Sequence, residues 1–300
     1  MDLKAKNLPT VSIGMPTYNR PQELRCALKA VVGQTYPNLE IIVSDNASPT
    51  EEVEAVIKEF MSRDTRIQYY RQRENYGPEH NFQFVLDKAT GEYFMWASDD
   101  DWRAPEFVAE LVTQLVNHPD ASLAFCNFIA AHETGEQVTG YPDFLSMMKR
   151  FAVDSTMIRQ LRFYLQPERA GKANLIYGLI RKRFLQGFKF NEFVRKSGRY
   201  GADMIFVFWL LGWGSLALSE GNLYRSTVGN KKSYDVGKIS KEAWMKQLMA
   251  RFMGQITYSF RYILVSDWRQ RPILIVLWPV KVIQLIGSEL WQSVKRRLFS

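Results

Sequence analysis

The 300-residue sequence has few cysteines and histidines. Its two cysteines, Cys26 and Cys126, fall inside apolar segments, so they provide neither a disulfide framework nor metal-ligand spacing, and they fit a reducing compartment. The three histidines, His80, His118 and His132, have no metal-ligand spacing either, and we assign them no chemical role. These absences argue against a disulfide-rich secreted fold and against a metal centre built from cysteine or histidine.

Segments typical of an export signal or a membrane span are also missing. No apolar stretch follows residues 1–6 before the first predicted strand, so no signal peptide is expected. The uncharged run 204–219 is short for a span and is interrupted by Gly212 and Gly214, so we expect it to lie in the protein core. The apolar run 273–280 has eight residues, too few to cross a bilayer about 30 Å thick.

What the sequence does have is a globular composition and a localised positive charge. Apolar residues make up 46% and charged residues 23%, and the length suffices for one large domain or two modest ones. Residues 241–300 hold ten of the 39 Lys and Arg residues, three of the 31 Asp and Glu residues and four of the eight tryptophans. A basic, aromatic segment on a nearly neutral body indicates an anionic partner surface, either membrane or nucleic acid.

Strand and helix patterns alternate through the first 130 residues. Strands are expected at 11–15, 39–44, 67–71, 92–97 and 121–128, and helices at 21–32, 50–61, 78–89 and 105–116. This alternation predicts a mainly parallel sheet with right-handed crossovers. Later in the chain, a helix is expected at 144–165, a strand at 174–180 and a buried helix at 203–211.

Polar side chains follow each of the first four predicted strands. Because ligands bind beyond the carboxyl ends of parallel strands, we expect the four groups to face one crevice. The groups are Thr17, Tyr18, Asn19 and Arg20; Asp45, Asn46 and Ser48; Arg71 and Arg73; and Asp99, Asp100 and Asp101.

The acidic triplet Asp99–Asp101 follows the apolar run 93–96 directly. Three adjacent anions at the rim of a sheet repel one another unless a cation is held between them. Mg²⁺ or Mn²⁺, with oxygen ligands and positions open for phosphates, would supply the counter-charge. The alternative is a solvated acidic turn that ends a strand.

An ordered series of motifs between residues 9 and 230 resembles the family 2 glycosyltransferases of the A-type fold. The motifs are VSIGMPTYNR at 11–20, QTY at 34–36, EIIVSDNAS at 40–48, NYG at 75–77, Asn81, GEY at 91–93, SDDDW at 98–102, GAD at 201–203, LLG at 210–212 and LYR at 223–225. The resemblance implies a catalytic domain over 1–235 with the nucleotide-diphospho-sugar transferase fold, an α/β architecture with a mainly parallel central sheet and flanking helices. It also implies a cytosol-facing, inverting enzyme of bacterial surface-polysaccharide assembly that uses a nucleotide-sugar donor, typically a UDP-sugar.

The resemblance assigns the donor-binding residues. An aspartate after the second strand, here Asp45, accepts a hydrogen bond from the donor base; alternatively it is a turn former that caps the following helix. The other candidates for binding the donor are Pro16, Thr17, Tyr18, Arg20, Arg71, Asn81, Ser98 and Asp99.

The family's Asp-x-Asp metal motif has a variant form here. Counted back from Pro105, the chief ligand of Mn²⁺ or Mg²⁺ falls on Asp100, and the first aspartate of the usual pattern is replaced by Ser98. Asp99 then takes the ribose-facing role. Asp101 is a second ligand candidate, and Asp99 remains a third.

A general base is needed because the acceptor hydroxyl must lose a proton while it attacks from the face opposite the leaving diphosphate. Asp203 fits, since it opens an apolar helix after a glycine-containing turn, and the resemblance implies a base there, although the family's usual Glu-Asp is Ala202-Asp203 here. The alternative makes Asp203 a helix N-cap. A family histidine near 226–233 is missing, and Lys231 or Lys232 could contact the diphosphate instead.

The C-terminal extension, residues 236–300, has the pattern of two amphipathic helices. The apolar face of the first comprises Met245, Leu248, Phe252, Ile256, Phe260 and Ile263; in the second, Lys281, Gln284, Ser288, Gln292 and Lys295 lie opposite Ile283, Ile286, Leu290, Val294 and Leu298. We expect an in-plane anchor on the inner face of the cytoplasmic membrane, with its cations toward anionic lipids. Alternatively, the helices dock on the catalytic domain or join copies into a homo-oligomer.

The sequence therefore predicts a metal-dependent, inverting glycosyltransferase that acts on a glycan or lipid-linked saccharide and has no nucleic-acid partner. One rival is a sugar-phosphate nucleotidyltransferase, but residues 15–20 lack the glycine-rich, basic phosphate loop of such enzymes. The other rival is a non-enzymatic protein that binds membrane or nucleic acid. It gives no reason for gathering Asp45, the acidic triplet and Asp203.

Overall fold

The computed structural model describes residues 8–132, 137–141, 143–198, 200–227 and 241–298. These residues form nine strands: β1 (Val11–Thr17), β2 (Leu39–Asp45), β3 (Ile67–Arg71), β4 (Tyr93–Trp96), β5 (Trp102–Arg103), β6 (Ala121–Ala131), β7 (Gln137–Gly140), β8 (Leu179–Arg181) and β9 (Ser215–Thr227).

Helices flank the sheet and form the C-terminal end of the chain. In the described ranges they are α1 (Pro21–Val32), α2 (Glu52–Met61), α3 (Pro78–Lys88), α4 (Phe107–Asn117), α5 (Phe144–Lys149), α6 (Thr156–Leu165), α7 (Phe190–Ser197), α8 (Ala202–Leu210), α9 (Lys241–Val265) and α10 (Arg271–Leu298). Short 3₁₀ segments lie at Glu168–Ala170, Lys172–Tyr177 and Lys182–Leu185.

The strands form one mixed sheet in the order β3-β2-β1-β4-β8-β6-β9-β5, with β7 paired to β6. Strand β1 is parallel to β2 and β4, β2 is parallel to β3, and β6 is parallel to β9, whereas β5, β7 and β8 pair antiparallel. The predicted mainly parallel α/β architecture with a helical extension is confirmed. The strand order reverses between β1 and β4, the position at which such sheets open a ligand crevice.

Local patterning explains why these elements form. Strands β1 and β2 are buried along their whole length, as expected for parallel strands covered on both faces. Helix α1 has proline at its first position and buries Leu24, Leu28 and Val31 at helical spacing. A Cβ on Gly14 would lie 2.7 Å from Val85 Cγ2, so glycine lets α3 pack closely against β1.

Two secondary-structure predictions in the second half were wrong. The single helix expected at 144–165 is two helices, because Ser155 caps α6 by accepting a hydrogen bond from the Ile158 amide and so starts a new helix. The strand expected at 174–180 is mostly the 3₁₀ segment Lys172–Tyr177, and only Leu179–Arg181 pairs as β8. The uncharged run after Met204 does lie in the core, where Ile205 and Phe206 are fully buried.

The two C-terminal helices do not bury the apolar faces that were predicted. On α9 the buried residues among the described side chains are Gln255, Tyr258, Ser259, Tyr262 and Ile263, which share only Ile263 with the predicted apolar face, and on α10 they are Leu274, Lys281 and Leu285. On α10, Lys281 is fully buried whereas Ile283 is 71% exposed. The predicted orientation of Lys281 toward lipid was therefore wrong. The side chains of Met245, Leu248, Gln292, Val294, Lys295 and Leu298 lie outside the described part of the chain.

One window, Arg271–Ser288, is long and apolar enough among the described residues to cross a membrane, judged by length and composition alone. Only 17% of this window is buried. The sequence analysis counted only the eight-residue run 273–280 and so underestimated the length of this apolar window. The apolar residues continue beyond Val280 on the side of the helix away from Lys281.

Candidate active site

The carboxyl ends of β1, β2, β3 and β4 meet at one edge of the sheet, as predicted. Thr17 pairs with Asp45 across β1 and β2, and Asp45 pairs with Arg71 across β2 and β3. Asp99 joins them from the loop after β4, because Thr17 Oγ1 donates a hydrogen bond to Asp99 Oδ2 at 2.7 Å.

A cavity of about 300 Å³ opens at this edge. It is lined by Pro16, Thr17, Tyr18, Arg20, Asn46, Asn75, Pro78, Asn81, Phe82 and Asp99. Six of these ten were predicted to bind the donor. Sequence reasoning missed Asn75, whose Oδ1 accepts a hydrogen bond from Asn46 Nδ2 at 2.8 Å.

Asn81 joins the ends of β1 and β2 beneath this cavity. Its Nδ2 donates to the carbonyls of Ser44 at 2.9 Å and Thr17 at 3.3 Å. Its Oδ1 is buried and has no partner among the described residues. Because an unpaired buried acceptor is costly, this oxygen is available for a donor group of a ligand.

Arg20 connects two carboxylates of the acidic triplet. Its Nη1 donates to Asp99 Oδ1 at 3.2 Å and to Asp100 Oδ2 at 2.8 Å. Burial raises the pKa of Asp99, and the Thr17 hydroxyl and the Arg20 charge oppose that rise. Asp100 also accepts a hydrogen bond from Ser98 Oγ, and its side chain is 23% exposed against 10% for Asp99.

Asp101 has hydrogen-bond partners different from those of the other two carboxylates. Its Oδ2 accepts a hydrogen bond from the Tyr224 hydroxyl, and its Oδ1 accepts one from the Thr227 amide at 2.8 Å. Burial raises the pKa of Asp101 to about 6, although the positive charge of the nearby Arg103 opposes that rise. These contacts give Asp101 a structural role that links the loop after β4 to β9.

The sequence analysis expected a cation to hold Asp99, Asp100 and Asp101 together. In the described ranges, no three His, Cys, Asp or Glu side chains form a group that could hold a metal ion. Arg20 offsets part of the repulsion between Asp99 and Asp100, and Asp101 is hydrogen-bonded to Tyr224 and Thr227. Asp100 is the triplet's most accessible carboxylate, which fits a Mg²⁺ or Mn²⁺ ion bound by one or two carboxylates together with substrate phosphates. Metal ligation by Asp99, Asp100 and Asp101 stays a prediction.

Asp45 forms a turn at the end of β2. Its Oδ1 accepts hydrogen bonds from the Ser48 amide at 2.9 Å and the Ser48 hydroxyl at 2.5 Å. Its Oδ2 is buried, lies 3.8 Å from Arg71 Nε and has no hydrogen-bond partner among the described residues. Asp45 therefore forms a turn, as the alternative expected, but it does not cap the following helix, whose N-cap is Glu51; the free oxygen leaves the predicted contact to a donor base open.

The loops after β1 and β2 have strained backbones. Asn19 and Ala47 have φ values of 53° and 60°, and the Asn19 amide donates to Ser48 Oγ at 2.8 Å. Such left-handed non-glycine residues cluster at functional sites, where the surrounding contacts hold them.

Asp203 lies in the first turn of α8. The N-cap of this helix is Gly201, so the alternative that Asp203 is the N-cap was wrong. Asp203 Oδ1 accepts a hydrogen bond from the Met204 amide at 2.8 Å. Burial raises the pKa of Asp203, and the negative charge of Glu168 contributes to the rise, so the carboxylate is more basic than an ordinary aspartate.

Tyr177 connects Asp203 with the acidic triplet, and sequence reasoning missed it. Burial raises the pKa of its hydroxyl, and the charges of Asp101, Asp100 and Asp203 raise it further. The same hydroxyl is hydrogen-bonded with Ser98. Asp203 and the carboxylates of Asp100 and Asp101 therefore lie within electrostatic range of the same hydroxyl. Tyr177 lies in a segment whose pattern predicted a strand, so no sequence signal indicated its position.

Three of the residues predicted to bind the donor, Asp45, Arg71 and Ser98, do not line this cavity. Arg71 Nη1 pairs with Glu54 at 3.0 Å and its Nη2 donates to the Ser48 carbonyl, so the guanidinium braces the loop after β2. Lys231 and Lys232 lie outside the described residues.

Sequence comparison identifies the family. The family described as glycosyl transferase family 2 matches residues 12–176, more than half of the chain. The chain belongs to glycosyltransferase family 2. The matched range contains the donor-side cavity, the acidic triplet and nearly all of the Lys172–Tyr177 segment, whereas Asp203 and the C-terminal helices lie beyond it.

Curated relatives carry glycosyltransferase names. The chain is 37% identical over 95 residues to a GalNAc(5)-diNAcBac-PP-undecaprenol beta-1,3-glucosyltransferase of Campylobacter jejuni, a match that covers 31% of this chain and 30% of the relative. It is 32% identical over 124 residues to the glycosyltransferase GlyA of Streptococcus pneumoniae, covering 41% of this chain and 17% of that one. The chain thus spans less than a third of the length of these two relatives.

Solved structures share the fold of this family member. A mannosyltransferase of Pyrobaculum calidifontis, in complex with GDP-Man and Mn²⁺, superposes with a TM-score of 0.61 at 17% identity and covers 98% of this chain and 82% of its own. S. aureus TarS 1–349 superposes with a TM-score of 0.58 at 16% identity, covering 92% and 89%. The A-type glycosyltransferase fold expected from the motifs is therefore confirmed.

Proposed function

We propose that this protein is a metal-dependent, inverting glycosyltransferase that moves a sugar from a nucleoside-diphosphate donor to a glycan or lipid-linked saccharide. One observation carries the proposal. Polar residues that end or follow β1, β2 and β4 line one cavity, and Arg20 in its lining pairs with both Asp99 and Asp100. Membership of family 2 favours this function over a nucleotidyltransferase or a non-enzymatic binding protein.

The donor nucleotide is proposed to occupy the cavity between the β1 and β4 ends. Asn46, Asn75 and Asn81 line it with amide groups, and Asn81 Oδ1 is a buried acceptor without a hydrogen-bond partner among the described residues, as is Oδ2 of Asp45, the residue before Asn46. Base and ribose N–H and O–H groups would satisfy such acceptors. UDP is the proposed nucleotide, since TarS was solved with UDP and with UDP-GlcNAc.

Charge on the leaving diphosphate must be stabilised as the bond to the sugar breaks. Arg20 reaches this position, because its guanidinium is half exposed beside Asp99 and Asp100. Asp100, with Asp99 behind it, is proposed to hold Mn²⁺ or Mg²⁺. A bound divalent ion would act there as a Lewis acid on the diphosphate oxygens.

Asp203 is proposed to act as general base. The acceptor oxygen bonds to the anomeric carbon as its proton passes to the Asp203 carboxylate. The bond between that carbon and the phosphate oxygen breaks, and its electron pair leaves with the nucleoside diphosphate. Because attack and departure occur on opposite faces of the sugar, the anomeric configuration inverts.

A donor screen tests this function. With a mixed glycan or lipid-linked acceptor fraction and Mn²⁺, we expect nucleotide release from one class among UDP-, GDP- and dTDP-sugars, with UDP-sugars the best substrates. Chelation with EDTA should stop the release, and added Mn²⁺ should restore it. Release that does not change on chelation would contradict the proposed metal dependence.

A membrane surface is the proposed site of the acceptor. The name of the Campylobacter relative includes an undecaprenol-linked saccharide, and lipid-linked acceptors lie at a bilayer. Helix α10 exposes an apolar stripe at helical spacing, in which Val276, Val280 and Ile283 are more than half exposed, and Trp268 and Trp291 flank it. With the positive charge of residues 241–300, this stripe fits an in-plane anchor on anionic lipids at the inner face of the cytoplasmic membrane.

Vesicle flotation tests the anchor. The protein is expected to float with anionic vesicles and to float less with neutral ones, and the double substitution Val280→Asp with Ile283→Asp should abolish flotation because it places charge in the apolar stripe. Val116→Asp is a matched control, since Val116 is an exposed apolar residue of α4. Equal flotation of the double variant and the control would argue against this surface.

A further inference from the structure

The buried side of the C-terminal helices contacts the turn that carries Asp203. Gly198 and Gly201 in this turn have φ values of 84° and 65°. A Cβ on Gly201 would lie 2.3 Å from the ring of Tyr258, and one on Gly198 would lie 2.1 Å from the guanidinium of Arg261. Only glycine therefore permits this close approach of α9 to the backbone just before Asp203.

Polar side chains of α9 also hold Tyr200, three residues before Asp203. Arg261 Nη1 donates to the Tyr200 carbonyl at 2.8 Å, and Gln255 Nε2 donates to the Tyr200 hydroxyl at 3.1 Å. The Tyr200 ring packs edge-to-face on Tyr258, with ring centroids 5.4 Å apart. Side chains from three successive turns of helix α9 therefore hold Gly198, Tyr200 and Gly201 in place.

A buried ion cluster joins α9 and α10 to the segment next to Asp203. Glu168 Oε1 lies 2.5 Å from Lys281 Nζ of α10, and Glu168 Oε2 lies 3.2 Å from Lys172 Nζ. The Tyr258 hydroxyl donates to Glu168 Oε2 at 3.0 Å, and the Tyr262 hydroxyl is 3.3 Å from both oxygens. Both lysines are fully buried, and burial lowers the pKa of Lys172 to about 7 even though Glu168 opposes the change.

Burying such a cluster costs free energy, because its charged groups lose their hydration. Apolar side chains of similar volume often stabilise a core as well as a buried ion pair does, so stability alone does not explain two lysines and a glutamate here. On α10, Lys281 is buried between the buried Leu274 and Leu285, although Val276, Val280 and Ile283 are exposed, so a charged residue occupies an inward position that an apolar one could fill.

We propose that the C-terminal helices position the general base, with Tyr258 and Lys281 acting on Asp203 through the glycine turn and through Glu168. This inference rests on the proposed role of Asp203. Helix α9 sets the backbone in front of Asp203, and Lys281 balances the negative charge of Glu168, which acts electrostatically on Asp203. The catalytic domain and the extension then act as one unit in catalysis.

Because charged groups surround Asp203, the inference predicts a change in the pH dependence of kcat. Glu168, Tyr262 and Tyr177 interact electrostatically with Asp203, and Lys172 and Lys281 offset Glu168. Removing the Lys281 charge leaves Glu168 less balanced, which raises the pKa of Asp203. The acid limb of the kcat profile, where the base becomes protonated, should therefore move to higher pH.

Lys281→Met and Tyr258→Phe test the inference in the full-length protein. Lys281→Met keeps an unbranched apolar stem, and Tyr258→Phe keeps the ring on Gly201 while losing the hydroxyl. Both should lower kcat by about tenfold or more and leave the KM for the donor unchanged, because misplacing a catalytic group affects the chemical step. Lys281→Met should also shift the acid limb upward, whereas Lys58→Met, an exposed lysine of α2, should change neither quantity.

Asp203→Asn in the same assay distinguishes a failure of the positioning inference from a failure of the proposed general base. If Asp203→Asn is inactive while folded Lys281→Met and Tyr258→Phe keep the wild-type kcat and pH profile, the positioning inference is overturned and the proposed function stands. If Asp203→Asn keeps full activity, the proposed base itself is wrong. Should Lys281→Met fail to fold, Tyr258→Phe decides: a lowered kcat at unchanged KM supports the inference, and wild-type kcat overturns it.

Discussion

Asp203→Asn is expected to lower kcat by about 10²- to 10⁴-fold, the usual contribution of a general base, while the affinity for the donor stays within a few-fold of wild type. The amide is nearly isosteric with the carboxylate and can still accept the hydrogen bond from the Met204 amide through its oxygen. It cannot take a proton from the acceptor. Steady-state transfer rates together with donor binding by calorimetry measure the two effects separately.

Asp143→Asn is the matched control for this substitution, because Asp143 is an exposed aspartate at the start of α5. In the wild-type protein, kcat should fall as the pH drops through the pKa of Asp203. Since burial and Glu168 raise that pKa above its usual value of 3.8, the fall should begin at a higher pH than for an ordinary aspartate. Unimpaired turnover of Asp203→Asn would remove the assignment.

Asp100→Asn is expected to weaken the dependence of activity on Mn²⁺ and to reduce kcat/KM by about 10³-fold, because a metal on the diphosphate is worth several kcal/mol in the transition state. The variant removes one of the two charges that Arg20 pairs with, so Arg20 keeps its contact to Asp99. The measurement is a Mn²⁺ titration of the transfer rate at donor concentrations below and above the KM, which gives kcat/KM and kcat separately.

Asp101→Asn distinguishes the structural role of Asp101 from the metal-binding role proposed for Asp100. Because Asp101 is bonded to Tyr224 and Thr227, this variant should lower thermal stability and leave the Mn²⁺ concentration for half-maximal rate close to wild type. The assignment would be contradicted if Asp101→Asn, and not Asp100→Asn, changed the metal dependence.

The parallel half of the fold could be predicted because its signals are local. Continuous apolar strands, helix periodicity and Pro21 and Pro78 at helix starts placed β1 to β4 and α1 to α4 within a few residues. The clustering of Thr17 and Asp99 followed from a topological rule, since the carboxyl ends of adjacent parallel strands share one edge.

The remaining features depend on tertiary contacts that the sequence does not display. Helical periodicity assigns an apolar face to α10, but it does not say that Glu168, more than 100 residues away, draws Lys281 inward and so turns that face to the outside. The position of Tyr177 depends on a 3₁₀ segment with no periodic signal. The hydrogen bonding of Asp101 depends on a partner, Tyr224, that lies on β9.

Thermal unfolding with UDP tests the central claim, that the crevice at the strand ends binds a nucleoside diphosphate together with a divalent metal. A ligand at 100 times its Kd stabilises a protein by about 2.7 kcal/mol, so UDP with Mn²⁺ should raise the Tm by more than the two separate effects combined, and Asp100→Asn should lose most of that gain. An unchanged Tm with UDP, GDP or dTDP in the presence of Mn²⁺, beside a rise with duplex DNA alone, would contradict it.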